Sequence, residues 1–227
     1  MGNDKIGLVG LGKLGTAMMS HWNKNDIKIG VFHRDPTKAR EFVNQFQKGY
    51  LLAASELKDL DLLILALPAT EIIPFITSLK IQGNSDHSPY FINMATTLHT
   101  NEISKAFPNL NVIGIKYMGH ARDLLEHGNG LFISENTLPK IIEELFSNLG
   151  NVKKESENCL AEVNKLATFY AVKTAAEIEN EFARRGYPLE YVKRALTSIS
   201  PEVIRSYSEG SLGHFAKEIA KKIQQND

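Results

Sequence analysis

Along the first two thirds of the chain, short apolar runs alternate with amphipathic or polar stretches. Runs rich in Val, Ile, Leu and Phe at 5–9, 27–32, 51–53, 62–67, 90–93, 111–115 and 131–134 are expected as strands. Several are apolar without alternation, as strands buried on both faces must be. The stretches at 14–25, 36–46, 70–79, 101–106 and 139–149 are expected as the intervening helices. Strand–helix alternation at this spacing argues an α/β fold, a doubly wound parallel sheet with helices on both faces.

The pattern changes after Glu155. Residues 158–185 contain neither Pro nor Gly, and apolar residues recur at Leu160, Val163, Leu166, Ala167, Tyr170, Val172, Ala175, Ile178 and Phe182. That is helical spacing with a wide apolar face. At 1.5 Å per residue such a helix is about 40 Å long. Gly186 and Pro188 close it, in the order a helix C-terminus favours. Shorter helices are expected at 189–198, 201–208 and 212–225. The expected organisation is therefore a first domain over 1–153 and an all-helical C-terminal domain over 154–227. The surplus apolar face of the helical domain suggests a homodimer through these helices, with packing back onto the first domain as the alternative.

Composition narrows the function classes. With 43% hydrophobic and 23% charged residues, the 227-residue chain is neither disordered nor a coiled coil. Lys+Arg and Asp+Glu number 26 each, so the chain lacks the basic field that sequence-independent nucleic-acid binding requires. The longest apolar run, 62–69, is far short of the ~18 residues of a membrane span. Cys159 is the single cysteine, which excludes an internal disulfide framework and a multi-cysteine metal site. Residues 1–6 lead straight into the first strand pattern, with no charged-then-apolar leader. A cytoplasmic protein with a small-molecule substrate, and no nucleic-acid or membrane partner, is expected.

The strongest chemical signal lies where the first strand hands over to the first helix. Gly10-x-Gly12-x-x-Gly15 follows the run Ile6–Val9. The first glycine permits a tight turn, the second lets a pyrophosphate approach the backbone, and the third lets helix and strand pack closely. The helix N-terminus offers free N–H groups and a partial positive charge to phosphates. The motif opens the first strand–helix unit, and a second strand ends about 20 residues on, as a Rossmann-type dinucleotide-binding fold requires. Gly10, Gly12, Lys13, Leu14 and Gly15 are the residues expected at the pyrophosphate.

The end of the second strand selects the cofactor. An NAD site wants Asp or Glu there for the ribose hydroxyls, whereas this chain has His33, Arg34 and, one turn into the next helix, Lys38. Cationic groups bind a 2′-phosphate that a carboxylate would repel, so NADP(H) is the expected cofactor. Asp35 has two possible roles, helix N-cap before Pro36 or ribose ligand. Two further segments, Ala66-Leu67-Pro68 after the fourth strand and Ala95-Thr96 after the fifth, lie at carboxyl ends near the switch point. They are expected to contact the cofactor, with a purely loop-forming role as the alternative.

These residues together resemble the pyrroline-5-carboxylate reductase family. The resemblance rests on the glycine motif ending in Ala17, on Arg34 with Lys38, and on Asp61-Leu62-Leu63-Ile64-Leu65-Ala66 leading to Pro68. It also rests on Lys116-Tyr117-Met118-Gly119 followed by Glu126-His127-Gly128-Asn129-Gly130. It covers the first 150 residues fairly well and the remainder in outline. The resemblance implies hydride delivery from NADPH to a cyclic imine carbon, giving proline, at an active site built on a dimer interface. The chain departs from the family's Arg-x-Met-Pro-Asn-Thr-Pro stretch at 116–122, and from its Ser-Gly-Ser-Gly turn, for which 164–170 has no glycine. The expected substrate is accordingly an imine or a small carbonyl acid.

Candidate catalytic residues are Lys165, Asn164 and His120. Lys165 sits beside Leu166, Ala167 and Phe169, near where the related β-hydroxyacid dehydrogenases place a catalytic Lys. A partly buried Lys with a lowered pKa can donate a proton, while a solvent-facing Lys would merely snorkel. Asn164 is expected either to orient substrate or to cap a turn. His120, with Lys116 and Arg122, makes a polar cluster able to bind a carboxylate or donate a proton, or else an ordinary loop. No metal site is expected, because no His-Cys or His-Glu cluster has ligand spacing. Two alternatives to the reductase stay open: a non-catalytic dinucleotide-binding regulatory relative of the competence-associated type, and an F420 (deazaflavin)-linked NADP reductase.

Overall fold

The computed structural model describes residues 4–80 and 88–225. The chain divides into two compact units, 1–164 and 165–227.

The first unit begins with β1 (Ile6–Val9), α1 (Lys13–Lys24), β2 (Ile29–Phe32), α2 (Pro36–Val43) and β3 (Gly49–Leu51). It continues with β4 (Leu62–Leu65), α3 (Ala69–Leu79), β5 (Tyr90–Asn93), α4 (Thr100–Ala106) and β6 (Asn111–Gly114). These six strands form one parallel sheet in the order β3-β2-β1-β4-β5-β6. The order reverses beside β1, which places a crevice at the carboxyl ends of β1 and β4. This is the expected Rossmann-type doubly wound arrangement.

The strands are apolar on both faces because each face is covered. Ile6, Leu8, Val31, Leu62 and Ile64 pack with Met18, Trp22 and Phe146 in one core. Val9, Leu63, Leu65 and Phe91 pack with Ile72, Phe75 and Ile103 in the other. Period-2 alternation thus assigns neighbouring residues to opposite cores. Trp22 is fully buried, and its indole N–H donates to the Leu145 carbonyl at 3.2 Å.

The structure corrects the expected sheet at its far end. The run expected at 111–115 stops as β6 at Gly114, and the chain enters β7 (Lys116–Tyr117), α5 (Ala121–His127), β8 (Gly130–Ser134), α6 (Lys140–Ser147) and β9 (Gly150–Lys154). The strand expected at 131–134 is not part of the parallel sheet. It is β8, which pairs antiparallel with β7 and parallel with β9 in a separate three-stranded sheet. Neither β7, at two residues, nor the seven-residue α5 is long enough to show a period. β9 reads Gly-Asn-Val-Lys-Lys and is mostly exposed, so it lacks the apolar signature of a buried strand.

The last long element, α7 (Glu157–Arg184), starts in the first unit and continues into the second. It ends where expected. Gly186 takes a φ of 71°, and the N–H of Tyr187 donates to the Phe182 carbonyl at 3.0 Å, a left-handed glycine stop. The second unit continues with α8 (Leu189–Arg194), a π-helical turn at Ala195–Ile199, α9 (Ser200–Ser208) and α10 (His214–Gln224). Neither α9 nor α10 has a buried residue. No helix among the described residues is long and apolar enough to cross a membrane.

Candidate functional site

The glycine turn is dictated by space as well as by φ. Gly10 has φ 111°, and a Cβ there would strike the backbone of Ala66, where β4 ends. A Cβ on Gly15 would strike the carbonyl oxygen of Gly10. These two glycines bring α1, β1 and β4 together. Gly12 differs: a Cβ there would meet nothing within 4 Å. The fold does not need that glycine for clearance, and the open space beside it is what a pyrophosphate would occupy. Gly12 is also the N-cap of α1, has no side chain to close the helix end, and the first turn of α1 contains no acidic residue.

A cleft of about 460 Å³ opens along this turn. Gly10, Leu11, Gly12, His33, Lys38, Ala66, Leu67 and Pro68 line it together with Glu41, Phe42 and Gln45. A smaller adjoining cleft of about 220 Å³ includes His33, Arg34, Leu67 and Glu71. The structure thus gathers residues expected from three separate segments at one crevice. Lys13 and Thr96 are exposed, Leu14 is half-buried, and Gly15 and Ala95 are buried; none of these five lines either cleft.

At the end of β2 Asp35 takes the first of its two expected roles, that of helix cap. Its carboxylate accepts from the N–H of Thr37 at 2.9 Å and caps α2, with Pro36 in the first turn. The N–H of Asp35 donates to Nδ1 of His33 at 2.9 Å, which fixes that ring at the cleft edge. Arg34 is exposed and pairs with Glu71 of α3 at 3.5 Å.

The loop after β5 is tied down by a buried polar network. Asn93, fully buried, accepts from the N–H of Ala95 at 3.1 Å and donates to the Leu98 carbonyl at 2.9 Å. The ammonium of Lys116 donates to the carbonyls of Ala95 at 2.5 Å and Leu98 at 3.0 Å. It also lies 3.6 Å from the Glu157 carboxylate, with both side chains buried. Burial lowers the Lys116 pKa to about 8, an effect that Glu157 and Glu135 oppose. Glu157 accepts in turn from the N–H and hydroxyl of Thr100. Sequence reasoning missed Glu157 entirely; one acidic residue among several near a helix start gives no local signal.

The expected catalytic residues sit in the following surroundings. His120 caps α5, its Nδ1 accepting from the N–H of Arg122 at 3.3 Å. Arg122 turns to Glu126 at 2.7 Å, and Lys116 points into the core. The three side chains therefore form no common cluster: the His120 ring meets the backbone of Arg122, the Arg122 guanidinium meets Glu126, and Lys116 is buried against Ala95, Leu98 and Glu157. Asn164 is half-buried within α7 and caps no turn; Lys165, the next residue, is exposed in the single chain. No group of metal-ligating side chains occurs among the described residues.

Residues 5–107 match the family profile of the NAD binding domain of 6-phosphogluconate dehydrogenase. The first unit contains a dinucleotide-binding domain. The solved structures similar to the chain include a pyrroline-5-carboxylate reductase from Coxiella burnetii, with a TM-score of 0.70 at 14% identity over 97% of this chain and 84% of that one. They also include an imine reductase from Pseudomonas sp., with a TM-score of 0.66 at 17% identity over 99% of this chain and 78% of that one. A reductive aminase from Aspergillus terreus, in complex with NADPH and ethyl-5-oxohexanoate, has a TM-score of 0.63 at 17% identity over 91% of this chain and 78% of that one. Likeness at these identities is likeness of fold. No curated protein sequence matches the chain.

Proposed function

We propose that this chain is an NADP(H)-dependent oxidoreductase that reduces an imine, or a small carbonyl acid, and works as a homodimer. The observation that carries the cofactor choice is at the end of β2. Asp35 caps α2, and His33, Arg34 and Lys38 line the clefts where the adenosine ribose would lie. A guanidinium and an ammonium there favour a 2′-phosphate. The similar folds solved as a pyrroline-5-carboxylate reductase, an imine reductase and a reductive aminase support an imine-type substrate.

The residues present fit the cofactor. Gly12 and the free N–H groups of α1 would hold the pyrophosphate, Arg34 and Lys38 the 2′-phosphate, and the loops at 66–68 and 94–98 would flank the nicotinamide. When bound, NADPH supplies the hydride. The imine carbon gains that hydride and the nitrogen gains a proton, leaving an amine and NADP⁺. Lys165 is our candidate proton source, with Asn164 beside it to orient substrate.

The dimer rests on the second unit's own surface. Leu166, Phe169, Tyr170 and Val172 are each at least 57% exposed, as are Ile204, Tyr207 and Phe215. An apolar surface of this extent suits a partner, and a second copy would cover it. The deciding experiment measures affinity for NADPH and NADH in parallel, then follows NADPH oxidation with pyrroline-5-carboxylate and other small cyclic imines. Preference for NADPH with turnover on an imine is the expected result. Tight NADPH binding with no turnover on imines or oxo acids would instead favour a dinucleotide-binding regulatory role.

A further inference from the structure

The buried pair Lys116–Glu157 lies outside the clefts described above, and its side-chain bonds lead to the loop that follows β5. The loop at 94–99 leaves β5 at the carboxyl edge of the sheet, next to β4, on the side where ligands of this fold bind. Lys116 grips it by two carbonyls, those of Ala95 and Leu98. Glu157 grips its end, accepting from the N–H of Thr100 at 3.0 Å and so satisfying a free donor at the start of α4. Asn93 closes the network by donating to Leu98 and to the Thr100 hydroxyl.

A second observation concerns Gly114, the last residue of β6. No unusual φ calls for glycine there, but a Cβ would strike the Glu157 carboxylate and the Thr100 hydroxyl. The strand end is hollowed to admit this carboxylate. A buried ion pair is weak evidence of stability, since apolar replacements often do as well. What the pair does supply is a single conformation for the loop, whose own backbone groups it satisfies one by one.

We propose that Lys116 and Glu157 are positioning residues for the nicotinamide half of the dinucleotide site, holding the 94–99 loop in its binding conformation while leaving the adenosine half untouched. The inference rests on the dinucleotide reading above. It separates the site into a half built by β1, β2 and α2, and a half whose shape depends on a pair contributed by β7 and α7.

Calorimetric titration of the full chain with NADPH, and with 2′,5′-ADP as a probe carrying only the adenosine half, tests it. Lys116→Met removes the grip on both carbonyls; Gly114→Ala keeps every charged group and only displaces the carboxylate. In both variants NADPH affinity is expected to fall about tenfold or more, the scale of a mispositioned site, while 2′,5′-ADP binds as in the wild type. Hydrogen exchange at 94–100 should quicken in step. Equal losses for both ligands, or no loss for either, would overturn the proposal; if Lys116→Met fails to fold, Gly114→Ala decides. A wild-type chain that binds neither ligand would sink the dinucleotide reading, and the inference with it.

Discussion

The guanidinium of Arg34 lies 3.5 Å from the carboxylate of Glu71, and both side chains line the smaller cleft. If Arg34 binds the 2′-phosphate as proposed, Glu71 competes with the phosphate for its guanidinium. An exposed pair of this kind is worth only about 0.2–1 kcal/mol. Glu71→Gln is therefore expected to raise NADPH affinity about two- to threefold at low salt and leave NADH unchanged. Arg34→Asp should do the reverse, weakening NADPH by roughly 2 kcal/mol, about 30-fold, while sparing NADH. Equal effects on the two cofactors in a fluorescence titration would remove Arg34 from the 2′-phosphate site.

Gly10 and Gly12 separate folding from binding. Gly12→Ala meets no neighbour and should cost less than about 1 kcal/mol of stability, yet cut dinucleotide affinity by about tenfold or more because the methyl fills the pyrophosphate's place. Gly10→Ala forces an alanine to φ 111° against the backbone of Ala66, and is expected to lose about 3 kcal/mol of stability or more. Urea unfolding with parallel NADPH titration checks both; a Gly12→Ala chain of full affinity would contradict the assignment.

Lys116 makes stability rise with pH, as a salt-bridged carboxylate does, but in an alkaline window and because burial disfavours its charged form. Its folded-state pKa of about 8 lies below the usual 10.5 because burial disfavours the ammonium. Below pH 8 both folded and unfolded chains carry the proton, and the cost of burial is present in full. Between about 8 and 10.5 the unfolded chain holds more protons, so this site's contribution to stability rises with pH. A neutral amine still has two N–H donors for the carbonyls of Ala95 and Leu98. The stability of wild type minus that of Lys116→Met should increase by about 3 kcal/mol over this window. A difference that stays flat in denaturant titrations across the window would show that Lys116 is not titrating there.

The helical unit is expected to bring two copies together. Phe169, 60% exposed on α7, and Phe215, 76% exposed on α10, have little reason to face water. Wild type should scatter light as a dimer at micromolar concentration, and Phe169→Glu with Phe215→Glu should yield monomers of unchanged helix content. A monomeric wild type would contradict the proposed assembly.

Lys165, exposed on α7, is the proposed proton source. Lys165→Met is expected to lower kcat about 100-fold and leave NADPH affinity as it was. Turnover that persists in the variant would exclude it as the proton source.

What the sequence determined by itself was local. The spacing of Gly10, Gly12 and Gly15 between an apolar run and a helix start is a covalent distance, and the turn follows from it. Both-faced apolar runs were enough to expect a covered parallel sheet, and an uninterrupted helical period was enough to expect α7 within a residue at each end. Tertiary structure decided matters that depend on which distant group arrives nearby. Asp35 became the cap of α2, because the backbone of α2 presents the N–H of Thr37 to it. Lys116, expected in a loop cluster with His120 and Arg122, turned inward because Glu157 reaches it from another element and two loop carbonyls needed a donor. Thr100 and Glu157 are 57 residues apart, and no periodicity carries information over that span. The strand at Gly130–Ser134 left the parallel sheet for the same reason: its apolar pattern specifies burial, while its partners β7 and β9 are too short or too polar to announce themselves. Sequence patterns set which residues must be buried and how the chain turns; the identity of each buried polar group's partner is a property of the assembled fold.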